Sequence, residues 1–337
     1  IQGIAVDQKK GYIYYSYTTM LIKTDLQGRI VGTVTGLLGH LGDLDLSEAD
    51  GRVYGSLEYK NDAIGRGILN MEKSTRTLDN AFYIAIFDVD RIDRVGMSAE
   101  KDGIMTTVYL PTVLEDYLAE VVTPEGKKAH RLGCSGIDGV AFGPKFGTTS
   151  GKEYLTVAYG IYSEKDRSDN DYQVLLQYDT EKWAKYERSL SQDNMHQRGP
   201  SKPNGKYFVY TGNTSWGVQN MEYDKHKNIW FLACYAGRKP HFPNYTLFAV
   251  DGSKSAVKEP LRGVAYQKKG AVLSLVGQKD TSDIRGWYNK LGEYGTCSLG
   301  NGYFYLVEAT RNGKLRGAVV HLARYAGGDD AAFELVK

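Results

Sequence analysis

The stretch SWGVQNMEYDKHKNIWFLACYAG, residues 215–237, decides the fold. A Gly leads an alternating strand, the charged run YDKHKN makes a tight turn, and a second strand rich in aromatic residues follows. Aligned on Gly217, the same grammar recurs four more times: GIAVDQKKGYIYYSY from Gly3, GDLDLSEADGRVYGSLEY from Gly42, GIDGVAFGPKFGTTSGKEYLTVAYG from Gly136 and GTCSLGNGYFYLVEA from Gly295.

A third strand follows each pair and mostly ends in an acidic turn: MLIKTDLQGR, FYIAIFDVDRI, VLLQYDTEKW and TLFAVDGSK, with AVVHLARYAGG as the deviant last member. A fourth follows: IVGTVTG, GIMTTVYLP, YERSLS, AVLSLVG and AAFELVK. Five four-stranded antiparallel meanders predict an all-β chain, a five-bladed β-propeller around a central channel, because radial packing buries both faces of every sheet and leaves only short edges. A two-sheet sandwich does not naturally explain a fourfold unit that recurs five times. Gly3 and Gly42 lie about one bare blade apart, roughly 40 residues; the later anchors are about twice as far apart, so those units carry insertions. The blades are expected at residues 1–37, 38–110, 131–191, 207–277 and 293–337 of a single domain, 1–337, with long connections 111–130, 192–206 and 278–292. The ring is expected to close by packing of the first blade on the last.

Composition agrees with this reading. Gly (39) and Tyr (26) are abundant and Pro (8) is scarce, which suits many turns and half-buried strands. No apolar run approaches the ~20 residues of a membrane span, which argues against membrane insertion. The net charge is +2 with the charges interspersed, so there is no basic stripe for nucleic acid. Cys134, Cys234 and Cys297 lie far apart in strand-like contexts, and the odd count predicts buried, unpaired thiols. The chain opens on Ile1 inside a strand pattern, from which a secreted or periplasmic monomer that has lost a targeting segment is expected.

In a propeller the start of each first strand, the loop between strands two and three and the blade-to-blade connection share one face. Nearly all the insertions fall there: KNDAIGRGILNMEKSTRTLDN, SEKDRSDND, AGRKPHFPN and the long connections. Long loops confined to one face read as the walls of a binding site. One of them, PTVLEDYLAEVV, starts with Pro and spaces its apolar residues helically, which predicts a short helix.

Candidate chemistry gathers on the same face. Asp43 and Asp138 occupy equivalent places on adjacent repeats, where two carboxylates could divide into acid and base or share a cation. The alternative is that each caps backbone N–H groups of an inner strand. His40 is a candidate proton-transfer group or a blade-linking structural histidine, and Glu58 could be a third acid. Arg238 and Lys239, beside Tyr235, suit an anionic group, or belong to a solvated loop. Trp216, Tyr59, Tyr159 and Tyr235 could stack on sugar rings or fill blade interfaces, and Gln219 and Asn220 could add polar contacts to a substrate. Walker A, Gly-x-Ser-x-Gly, His-Glu-x-x-His and Gly-His…Trp-Asp patterns are absent from the sequence.

In its repeat grammar the whole chain resembles the five-bladed propellers of arabinanase- and invertase-type glycosidases and of calcium-dependent nucleotidases. The resemblance implies inner-strand acids around a central pocket, matched here by Asp43 and Asp138, and in the nucleotidase case a channel calcium on those two residues. Gln2 stands where the glycosidases usually have their first Asp. The function expected from these readings is a carbohydrate-active enzyme that cleaves glycosides, acidic saccharides among them, needs no cofactor, and takes an oligosaccharide or small molecule at the long-loop mouth. In a lyase variant, His40 or a tyrosine would act as base with Arg238 neutralising a uronate. A non-catalytic propeller that binds a glycan, peptide or protein, and a calcium-assisted phosphoester hydrolase, are the alternatives.

Overall fold

The computed structural model describes residues 1–279, 282–313 and 315–336. Positions 280 and 281 of the connection 278–292, and 314 and 337 of the last blade, lie outside the described residues. Five antiparallel sheets stand around a central channel, and their inner strands are Gly3–Asp7, His40–Leu46, Cys134–Pro144, Ser215–Asp224 and Thr296–Ser298. From each inner strand the sheet meanders outward, as in blade two, where His40–Leu46 pairs with Val53–Tyr59, then Ala81–Phe87, then Met105–Tyr109.

The apolar core is five slabs, one between each pair of neighbouring blades. Leu41, Leu57 and Tyr83 of blade two pack with Ala5, Tyr14 and Leu21 of blade one, and Phe82 and Ile84 on its other face pack with Val140 and Leu155 of blade three. This is the period-2 alternation of a strand buried on both faces. Val218, Trp230 and Phe248 face blade three, while Phe231 and Ala249 face Phe304 of blade five. The smallest slab, with Ile4, Ile13, Cys297 and Val307, packs the last blade against the first. All three cysteines are free and buried.

Two expected fourth strands are placed differently. YERSLS does not complete blade three: Arg188–Ser189 pairs with Thr106 and Thr107 at the edge of blade two. Blade three is completed by Gly205–Tyr210, which lies antiparallel to Tyr172–Tyr178. AVLSLVG is divided, its Ala271 and Val272 running parallel to Tyr207 and Phe208 of blade three and its Leu275 and Val276 pairing with blade four. Edge pairing of such short segments is settled by which neighbour offers a free edge, and the alternating pattern does not encode that choice.

The expected helix is present as Pro111–Leu118, with Val113 and Tyr117 buried against blades two and three. A second, unexpected helix, Ala63–Met71, lies over the channel mouth, its N-terminus capped by Asp62 accepting from Gly65 N–H at 2.9 Å. Gly65 has to be glycine, because a Cβ there would lie 1.6 Å from the Lys60 carbonyl oxygen. Among the described residues no helix is long and apolar enough to cross a membrane.

Candidate functional site

Three inner strands carry register shifts, and the candidate residues sit on them. The shift between Leu41 and Leu44 contains Asp43, that between Ile137 and Val140 contains Asp138, and those between Ser215 and Asn220 contain Trp216 and Gln219. A bulge turns a side chain out of the ladder, which is how inner-strand residues reach the channel. Trp216 has φ 67°, a costly left-handed conformation for a bulky residue, and is followed by Gly217 at φ 76°.

These bulges open a cavity of about 210 Å3 at the long-loop mouth. His40, Glu58, Lys60 and Asp138 supply its ionisable groups, and Trp216, Gln219 and Tyr235 form much of the remaining wall. Glu58 is buried and anchored on both oxygens, with Lys60 Nζ at 2.5 Å from Oε1 and Ile137 N–H donating to Oε2 at 3.0 Å. Lys60 also donates to the Ser135 carbonyl at 2.8 Å. Burial raises the Glu58 carboxyl, and Lys60 and the Ile137 N–H pull against it. Asp138 is 7% exposed and its Oδ1 has no hydrogen-bond partner among the described residues. Burial drives its carboxyl well above the usual range and the Glu58 charge adds to the effect, with only Lys60 and the Asp43 N–H opposing. His40, 3.9 Å from Glu58 Oε1, is pushed down to about 3 by burial and by Lys60, so its imidazole is neutral and its Nδ1 lacks a hydrogen-bond partner. The cavity therefore holds a Glu58–Lys60 ion pair, a carboxyl at Asp138 whose proton affinity is raised by burial, and an imidazole kept neutral at His40.

The remaining candidates lie elsewhere. Asp43 is beneath the cavity, where its Oδ2 accepts from Val140 N–H at 3.0 Å and Met221 N–H at 2.8 Å. Burial raises its carboxyl, the Asp138 charge adds to the rise, and its two accepted hydrogen bonds link three blades. Asn220 is buried and ties the Gln2 and Glu293 carbonyls at 2.8 and 3.0 Å. Tyr59 and Tyr159 are buried on the opposite faces of their strands, bonded to Gln192 and Asp116. Lys239 is buried and donates to the Arg167 carbonyl, Asn170 and Asp171. Arg238 is exposed and does not line the mouth. Tyr59 and Tyr159 face away because a strand sends neighbouring side chains to opposite faces, whereas Arg238 and Lys239 lie in the loop beyond the strand Ile229–Tyr235.

Lys60, at the end of a second strand, lines the cavity, and so does Ile64, which does not stand out in the sequence. Lys60 is two residues from Glu58 and so shares its face; Ile64 arrives on the helix signalled only by Asp62. Among the described residues no group of three or more His, Cys, Asp or Glu side chains is arranged to hold a metal ion. Asp43 and Asp138 each have one carboxyl oxygen without a hydrogen-bond partner among the described residues.

The other end of the channel holds a smaller acidic cavity, about 120 Å3, lined by Asp45, Glu48, Glu153 and Glu222. Burial pushes Asp45 up to about 7 against the Phe142 and Leu46 N–H groups, and burial plus the Asp45 charge raises Glu222 well above its usual range. A carboxyl that is raised in the folded state binds a proton the unfolded chain has released, so its stabilising contribution is full below about pH 4 and is lost as pH rises through its folded value. Stability should accordingly fall as pH rises from about 4 through about 7, and Glu222→Gln should flatten the decline in chemical-denaturation curves measured across that range and above it. A variant with the wild-type slope would assign the pH dependence to other groups.

No protein-family model matches the chain, and no curated protein matches it. Among solved structures it is similar to the β-propeller domain of Myceliophteria thermophila Cps50 (Swd1), at 11% identity over 100% of this chain and 72% of that one, with a TM-score of 0.36. It is similar to the Dos1 propeller at 11% identity over 91% of this chain and 67% of that one, TM-score 0.31. The GH43_1 enzyme from Xanthomonas citri, in complex with xylose, aligns at 10% identity over 99% of this chain and 89% of that one, TM-score 0.42. The five-bladed propeller is displayed by the chain's own sheets.

Proposed function

We propose that the long-loop mouth binds the end of a saccharide and hydrolyses its glycosidic bond, with Asp138 as proton donor and Glu58 as the partner carboxylate. The observation that carries this reading is the unequal environment of two carboxyls on one cavity. Burial and the Glu58 charge raise the Asp138 carboxyl well above the usual range, whereas at Glu58 Lys60 and a backbone N–H oppose the rise and favour the anion. Asp138 gives its proton to the leaving oxygen as the glycosidic C–O bond breaks. Water bonds to the anomeric carbon and loses its proton to Glu58; Glu58 then releases that proton to solvent and solvent returns one to Asp138. The mouth has no uncompensated cation, which favours a neutral ring there over a uronate or phosphate, and Trp216, 39% exposed, offers a stacking face. With Arg238 outside the cavity, elimination from a uronate has no support at the mouth.

Asp138→Asn is expected to lower the release of reducing ends from a glycoside panel by at least about a hundredfold, with an unchanged circular dichroism melt. Full turnover in that variant would overturn the reading. The double anchoring of Glu58 favours a second possibility, capture without cleavage; saccharide binding in calorimetry with no turnover by the wild-type protein selects it.

A further inference from the structure

Beside the mouth, blades one and five enclose a larger cavity of about 710 Å3. Gln2 lines both cavities, and the Tyr235 ring of the mouth meets the Tyr294 ring of the larger cavity edge-on at 5.9 Å. The two cavities are therefore neighbours that share Gln2 and meet at this pair of rings. None of the residues lining the larger cavity is an Asp or a Glu. Its charged side chains are Arg311 and Arg316, which stand directly opposite one another on the strands Tyr303–Asn312 and Leu315–Tyr325.

Like charges directly opposed on antiparallel strands destabilise the pair. Carboxylates near them in the sheet are engaged elsewhere, Glu308 with His321 at 2.9 Å and Glu334 with Arg324 at 2.7 Å. Arg311 bonds only the Gly313 carbonyl, and neither guanidinium has a carboxylate partner among the described residues. An anion between them removes the repulsion, and two planar forks match the oxygens of a carboxylate or a sulfate.

We infer that this larger cavity takes an anionic sugar, carrying a carboxylate or a sulfate, next to the neutral residue held at the mouth, with Arg311 and Arg316 gripping the anionic group and Tyr17 and Tyr294 flanking the ring. The inference rests on reading the mouth as a saccharide site. It adds to that reading a substrate class: a heteropolymer in which neutral and acidic residues are adjacent.

The test is titration calorimetry with uronate-containing oligosaccharides, sulfated oligosaccharides and the neutral counterpart of each. The acidic forms are expected to bind roughly ten- to a hundredfold more tightly, an advantage that high salt and the Arg311→Gln/Arg316→Gln double substitution both remove. The better of the two acidic series identifies the anion. Equal binding of acidic and neutral forms, or an acidic advantage that survives both substitutions, overturns the inference and leaves the mouth reading standing. Arginine-dependent binding of acidic sugars with no binding of neutral ones and no turnover by the wild-type protein keeps the anion site and overturns the mouth reading. Failure of every saccharide to bind overturns both.

Discussion

Asp43→Ala is expected to destabilise the protein by about 3 kcal/mol, and to do so whether or not a ligand is present. The carboxyl sits on blade two, yet its Oδ2 is the acceptor for the inner strands of blades three and four, through Val140 and Met221 N–H. Truncation leaves two buried donors without an acceptor, at about 1–3 kcal/mol each. Relief from burying the carboxyl, whose proton affinity is raised by that burial, offsets part of the loss. Asp43→Asn keeps a carbonyl oxygen at the same place and should stay within about 1 kcal/mol of the parent. Urea unfolding of the two variants separates this account from a catalytic one. An Asp43→Ala protein that unfolds like the parent but has lost all activity would return Asp43 to the reacting atoms.

That outcome also bears on what the sequence reveals. The five glycine-anchored units are legible because each unit must supply its own alternating strands and turn, a local requirement. Helix Pro111–Leu118 is legible for the same reason, with Pro at its start and apolar spacing close to 3.6. Helix Ala63–Met71 is masked by Gly65 and Gly67, which lower helical propensity, although Gly65 is there to clear the Lys60 carbonyl. At the site, position near a strand end places a residue at the right height but not on the right face. Glu58 and Lys60 line the mouth while Tyr59 between them is buried behind it, and Gly160 lines the mouth while Tyr159 is bonded to Asp116. The bulges, which decide what the inner strands aim into the channel, depend on contacts between blades and leave no mark in the alternation of one strand.

Lys239 is the strongest case of a charge whose role depends on a partner distant in sequence, and Lys239→Ala is expected to cost about 3–5 kcal/mol. Its three ammonium hydrogens are matched by three acceptors on one segment of blade three: the Arg167 carbonyl, Asn170 Oδ1 at 2.8 Å and Asp171 Oδ1 at 2.5 Å. Burial raises the Asp171 carboxyl and Lys239 is the first force opposing it, so removing the ammonium leaves a buried acid and two buried carbonyl oxygens without their donor. Lys239→Met should fare little better than alanine, because it restores the apolar stem and not the hydrogen bonds. Lys239 follows Tyr235 by four residues, so the same tie holds the loop that leads away from the mouth, and loosening it should weaken saccharide binding as well as the fold. Saturating ligand then recovers part of the lost melting temperature, by the linkage that stabilises any folded state with an occupied site. A Lys239→Ala protein with the parent's melting temperature and weakened binding of acidic saccharides would instead make Lys239 a ligand contact, as its place beside Arg238 in the sequence suggests.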